Sequence, residues 1–145
     1  MGSQLVTESE KIDFVVTWVD GDDKFWKKKK EMYDKKCHPS ETMNSESRYR
    51  NYHIFKYWFR AVENYAPWVN KIFLITDQQI PEWLNLENEK IKVVDHTEFI
   101  NKKFLPTFNS NVIELNIAAI DEVSEKFVLF NDDTFINAPV KSSDF

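Results

Sequence analysis

The sequence predicts a three-layer α/β fold built on a mostly parallel sheet, and three observations lead there. Short apolar, β-branched segments alternate with amphipathic helical stretches along the chain. The most apolar of these, Ile12 to Val19, lacks a polar alternation, which is the pattern of a strand covered on both faces. Each predicted strand also runs into a carboxylate at a turn: Asp20, Asp77, Asp95, and the pair Asp132 and Asp133.

The elements follow in order. Residues 1–10 are polar and aperiodic and read as a flexible leader, so that 11–145 form one α/β domain. The first strand, over 12–18, stops at the turn-forming cluster Asp20-Gly21-Asp22-Asp23. A lysine-rich helix is predicted over 23–36. Its run Lys27 to Lys30 precedes Glu31 and Asp34 and reads as a solvated face rather than a phosphate patch. Residues 37–47 read as a loop. A second helix over 49–65 places Ile54, Tyr57, Trp58, Ala61, Val62 and Tyr65 at helical spacing, and Pro67 closes it. Further strands are predicted over 71–76, 90–94 and 127–131. A helix over 111–123, apolar at Val112, Ile113, Leu115, Ile120 and Val123, precedes the last of them. With only 2 Gly and no internal repeat, flexible linkers and solenoids are excluded.

Composition bounds the function. The 145 residues suit a single core, and a net charge of -5 argues against a broad basic surface for nucleic acid. One cysteine, Cys37, allows no intrachain disulfide and suits a reducing compartment. No apolar run approaches the ~20 residues of a membrane span, and the N-terminus has no signal-peptide core. The expected location is cytoplasmic, at most peripheral to the inner face of the membrane, with no integral membrane segment. Aromatic residues at 15% point to a core built on rings, with room for a few that stack on a sugar or a base.

The strand-end carboxylates carry the functional argument. In open α/β sheets the ligand sits beyond the carboxyl ends of the strands. An acidic pocket there repels an anionic substrate unless a cation mediates, so a divalent metal, Mg²⁺ or Mn²⁺, with carboxylate ligands is expected, Asp132 or Asp133 among them; the plainer reading is that Asp is common wherever a strand turns into a loop. Along a strand Asn131 and Asp133 share one face while Asp132 points to the other, which separates a ligand-facing carboxylate from a bracing one. Glu114 has two readings. With Asn111 as N-cap it completes a capping box, the favoured one; alternatively, Asn109 and Ser110 at the helix N-terminus form a phosphate site with Glu114 as a base beside it. His96, at a strand end, is the one histidine near the expected pocket, and reads as a satisfied structural residue. No GxGxxG, P-loop lysine or GxSxG motif occurs.

These segments, in this order, resemble the first two conserved regions of the Stealth family of sugar-1-phosphate transferases. This family is typified by capsular polysaccharide phosphotransferases and related to the lysosomal-enzyme N-acetylglucosamine phosphotransferase. Ile12 to Gly21 resembles the first region. The second is matched by Arg60, Tyr65-Ala66-Pro67-Trp68-Val69, Gln79-Ile80-Pro81-Glu82-Trp83-Leu84-Asn85, His96, Pro106 to Ser110, Glu114 and Phe130 to Asp133. The resemblance implies a nucleotide-sugar-transferase-like (Rossmann-like) fold. It implies transfer of a hexose 1-phosphate from a nucleotide-sugar donor to a saccharide acceptor, usually with a divalent metal. Glu114 and Asp133 would be catalytic, and Trp18, Asp20, Gly21, Arg60, Asn109 and Ser110 would line the donor pocket. A non-catalytic nucleotide-sugar or glycan-binding module is the alternative.

Two departures stand out. Gln78 occupies a place where the family usually has Gly or a similarly small residue, and Asn51 and Ile54-Phe55 replace an acidic and a Glu-Leu pattern. The family's third and fourth regions, which supply a histidine and basic groups, find no match in 1–145. The chain by itself is therefore expected to be inactive as an enzyme, with an incomplete domain that self-associates through exposed apolar surface.

Overall fold

Four strands form one sheet, all parallel, in the order β3-β2-β1-β4. The structure, a computed structural model, describes residues 11–37 and 53–145. The expected leader, the loop over 38–47 and the start of the second helix lie outside the described residues. Along the chain come β1 (Ile12–Thr17), α1 (Lys24–Cys37), α2 (Phe55–Tyr65), β2 (Ile72–Thr76), β3 (Ile91–Asp95), α3 (His96–Phe99), α4 (Ser110–Asn116) and β4 (Lys126–Asn131).

The apolar runs explain the layering. β1 and β2 occupy the middle of the sheet, and Phe14, Val15, Val16, Phe73, Leu74 and Ile75 are all fully buried. Side chains alternate between faces along a strand. Phe14, Val16, Trp18, Leu74 and Phe130 thus meet Phe55, Trp58 and Val62 of α2 on the first face. Val15, Phe73, Ile75 and Val94 meet Ile100, Ile113 and Ile117 on the second. This is the expected three-layer α/β arrangement. Trp58 sits at the centre of the first layer with edge-on contacts to Phe59 and Phe130. Truncating a buried ring of this size costs ~3–5 kcal/mol.

A buried carboxylate ties the amino edge of the sheet together. Asp13 is 0% exposed. Its Oδ1 accepts from Asn70 Nδ2 at 2.7 Å and the Lys71 N–H at 3.0 Å, and its Oδ2 accepts from the Ser124 N–H at 2.8 Å. One side chain thereby fixes where the chain enters β2 and approaches β4.

Several local expectations are corrected. Within the described residues α2 runs from Phe55, with Ile54 at its cap and His53 at φ 55° in the left-handed region before it. The 111–123 helix is α4 over Ser110–Asn116, followed by a 3-10 turn over Ile117–Ala119. Its cap is Asn109, whose side chain accepts from the Asn111 N–H, so Asn111 is not the N-cap and Glu114 completes no capping box. The capping box of this region is formed instead by Asp95 and Glu98 at α3. The lysine run is only partly solvated: Lys30 Nζ meets Asp34 at 2.8 Å, and Lys29 turns inward to Asp77.

At the outer strand β4 the second face is thinly covered. Phe127 and Leu129 stay 38% and 39% exposed, and Leu115 of α4 is 81% exposed. Among the described residues no helix is long and apolar enough to cross a membrane.

Candidate active site at the carboxyl edge of the sheet

Parallel register brings the strand-end carboxylates to one edge. Thr17 of β1 lies level with Ile75 of β2 and with Asn131 of β4, and Thr76 lies level with Asp95 of β3. Asp20, Asp77, Asp95 and the pair Asp132 and Asp133 therefore emerge from the same side. At ~4.8 Å per strand the four strands span about 14 Å there.

The loop after β2 binds its neighbours on three sides. Asp77 accepts from Lys29 Nζ of α1 at 2.5 Å. The next residue, Gln78, donates its N–H to Asp95 Oδ2 at 2.5 Å. Gln79 closes the set: its Oε1 accepts from the Asp20 N–H at 2.8 Å and its Nε2 donates to the Asp20 carbonyl at 3.0 Å. Gln78 adopts φ 58°, a left-handed conformation that Gly enters without cost and other residues do not. The turn beyond β1 is braced from within as well. Asp20 Oδ1 accepts from the Asp22 N–H, and Asp23 Oδ1 from the Trp26 N–H in the first turn of α1.

Between α1, the end of β2, α3 and the 105–106 segment lies a cleft of about 430 Å³. Its walls are mainly apolar, with Met32, Tyr33, Leu105 and Pro106, and its polar groups are Lys29, Lys36, Asp77, Gln78, His96 and Thr97. His96 is 3% exposed and forms no side-chain hydrogen bond among the described residues. Burial pushes its pKa below the ordinary histidine value, with Lys29 acting in the same sense, while Asp77 and Asp95 oppose the shift. Burial would raise the Asp95 carboxyl, but hydrogen bonds from Thr97 and Gln78 and the nearby His96 bring it below its usual value.

At the β4 end, Asp132 is half-buried and Asp133 exposed, both in the turn that follows Asn131 rather than in the strand. Burial, and then the charge of Asp133, push the Asp132 carboxyl up to about 6. A divalent cation held by both would relieve that repulsion. Among the described residues no group of three His, Cys, Asp or Glu side chains is poised to hold a metal. Two carboxylates nevertheless fit Mg²⁺, which is commonly held by one or two carboxylates together with substrate phosphates and water.

The remaining expected site residues are placed as follows. Gly21 is buried within the β1 turn, and Asn109 and Ser110 are exposed at the start of α4 with Glu114 half-buried one turn on. Trp18 is 8% exposed, its ring stacked on Phe55 at 5.6 Å and 10°. That places it largely in the first-face core. Arg60 is exposed on α2, its guanidinium 5.4 Å from the centre of the Tyr57 ring. Sequence reasoning missed Lys29, Lys36, Tyr33 and the bracing role of Gln79. A signal was present: Lys29, Met32, Tyr33 and Lys36 recur at helical spacing and form one stripe of α1.

Comparison with known proteins settles the family. Residues 10–36 match Stealth protein CR1, conserved region 1, and residues 48–145 match Stealth protein CR2, conserved region 2. The chain belongs to the Stealth family. Among its relatives, the capsular polysaccharide phosphotransferase WcwK of Streptococcus pneumoniae is 57% identical over 94% of this chain and 41% of its own length. The receptor polysaccharide phosphotransferase WefC of Streptococcus gordonii is 56% identical, again over 94% and 41%. The exopolysaccharide phosphotransferase cps2G of Lactiplantibacillus plantarum is 52% identical over 92% and 39%. The chain thus spans about two fifths of the length of these relatives.

Proposed function

We propose that this chain contributes the donor-binding part of an enzyme of cell-surface polysaccharide synthesis. The enzyme transfers a hexose 1-phosphate from a nucleotide sugar to a sugar hydroxyl. The observation that carries the reading is the convergence of strand-end carboxylates at one edge, in a chain more than half identical to named polysaccharide phosphotransferases. An acceptor hydroxyl oxygen attacks the phosphorus that bears the sugar. The bond from that phosphorus to the bridging oxygen breaks, and a nucleoside monophosphate leaves as the phosphodiester forms. Asp133 or Glu114 takes the hydroxyl proton.

Asp132 and Asp133 would hold the divalent metal, which supplies positive charge to the phosphate oxygens. Asp20 and Gly21, in a turn braced by Gln79, would lie against the donor, with the amides near Asn109 and Ser110 and the Arg60 guanidinium as further partners for phosphate. Trp18 supports that turn from the core side. The single cysteine and the nucleotide donor support a cytoplasmic setting. The half-exposed Phe127 and Leu129 on β4 support contact with a second copy of the chain.

Release of nucleoside monophosphate from a panel of nucleotide sugars by the chain extended to the length of its relatives, with and without Mg²⁺ or Mn²⁺, tests the proposal. Donor binding without release under any of these conditions would leave a binding module instead.

A further inference from the structure

We infer that the cleft between α1, β2 and α3 seats the base and ribose of the nucleotide donor, with the His96 imidazole recognising the edge of the base. The inference rests on the proposed function and assigns the donor's base and ribose a place away from the Asp132 and Asp133 pair, which faces its phosphates.

Three features select this ligand. The first is His96 itself, 3% exposed, lining the cleft and without a hydrogen bond among the described residues. A buried ring that lines a cleft, with no hydrogen-bond partner for its nitrogens among the described residues, can accept one from a ligand seated there. A neutral imidazole offers one donor and one acceptor, which complements the mixed edge of an uncharged heterocycle. The second feature is the wall. Met32, Tyr33, Leu105 and Pro106 form an apolar slot suited to a flat ring, with polar side chains around it for the ribose hydroxyls. The third is charge and position. Asp77 is already bound to Lys29, leaving Lys36 as the lining cation without a carboxylate partner among the lining groups. From the end of β2, Gln79 leads directly to the Asp20 and Gly21 turn, so phosphates leaving the cleft pass over that turn towards β4.

The test uses the purified protein and four probes, UMP, CMP, AMP and GMP, with a hexose 1-phosphate as a fifth. Saturation-transfer NMR and calorimetry should show at least one nucleoside monophosphate binding through its base protons. His96→Phe should weaken it at least about tenfold. Because a buried substitution can disturb folding, Met32→Trp provides a second variant. Met32 is 54% exposed at the rim, and the larger ring fills the slot without entering the core. It should weaken nucleotide binding to a similar degree while circular dichroism stays unchanged.

Nucleotide binding that neither variant weakens, or no binding of any nucleoside monophosphate by the folded protein, would overturn the inference. The two readings fail separately. If nucleotide sugars are turned over but Met32→Trp and His96→Phe leave the donor KM unchanged, the subsite is wrong and the transferase stands. If both variants abolish nucleotide binding yet no donor is ever turned over, the subsite stands and the transferase is wrong.

Discussion

Gln79 and Asp20 are bonded in both directions, the amide oxygen of one to the backbone N–H of the other at 2.8 Å, and its amide nitrogen to the backbone carbonyl at 3.0 Å. A side chain from the β2 loop therefore substitutes for a strand partner just beyond the point where β1 and β2 separate. Gln79→Ala removes both bonds, at ~1 kcal/mol each. It should lower stability by ~2 kcal/mol and raise the donor KM by about tenfold if part of that energy positions the turn. Steady-state kinetics beside denaturant unfolding checks both effects.

Gln78 predicts a gain. Its φ of 58° is a left-handed conformation in which Gly is at ease, and a left-handed residue other than Gly costs ~1–2 kcal/mol. Gln78→Gly should stabilise the protein by ~1 kcal/mol, read as a rise of a few degrees in thermal midpoint. An unchanged or lower midpoint would show that the contacts of the glutamine side chain outweigh the backbone strain.

Asp13 predicts a loss. Asp13→Ala leaves the amides of Lys71 and Ser124 without their acceptor in a buried setting, and each such group costs ~1–3 kcal/mol. The variant should lose ~3 kcal/mol or more in chemical denaturation, with the effect on kcat/KM following the folded fraction.

These residues mark the boundary of what the sequence disclosed. The strands were legible because Phe14 to Val16 and Phe73 to Ile75 are uninterrupted apolar runs, which only a doubly covered strand uses. The acidic edge was legible because parallel strands necessarily end on the same side. The partners of Asp13 lie 57, 58 and 111 residues away, so no local pattern could announce them. The α4 cap was misplaced because Asn109 and Asn111 are both good caps, and the choice depends on the path of the preceding loop. Lys29 read as solvated because a lysine run looks the same whichever member turns inward, and the Asp77 that draws it in is 48 residues on.

Asp132 predicts a pH dependence. Its carboxyl is raised from 3.8 to about 6 in the folded protein. The folded state thus binds the proton more tightly than the unfolded chain, and this group's contribution favours folding most below 3.8. That contribution is lost as pH rises from 3.8 to about 6. Metal binding should follow the opposite course and strengthen as pH rises through about 6, because the proton and cation compete for one carboxylate. Asp133→Asn removes the neighbouring charge and should shift the Asp132 midpoint downward, as followed by carboxyl ¹³C NMR. An upward shift would contradict the account.

The most direct measurement is ³¹P NMR of a nucleotide sugar and a saccharide acceptor incubated with Mg²⁺ or Mn²⁺ and the chain extended to the length of its relatives. The account predicts matched appearance of nucleoside monophosphate and a sugar phosphodiester, dependent on the metal. Asp133→Asn and Glu114→Gln should each reduce the rate by ~10²-fold or more. Phosphodiester formed at an undiminished rate by both variants, or no phosphodiester from any donor by a folded, donor-binding protein, would contradict it.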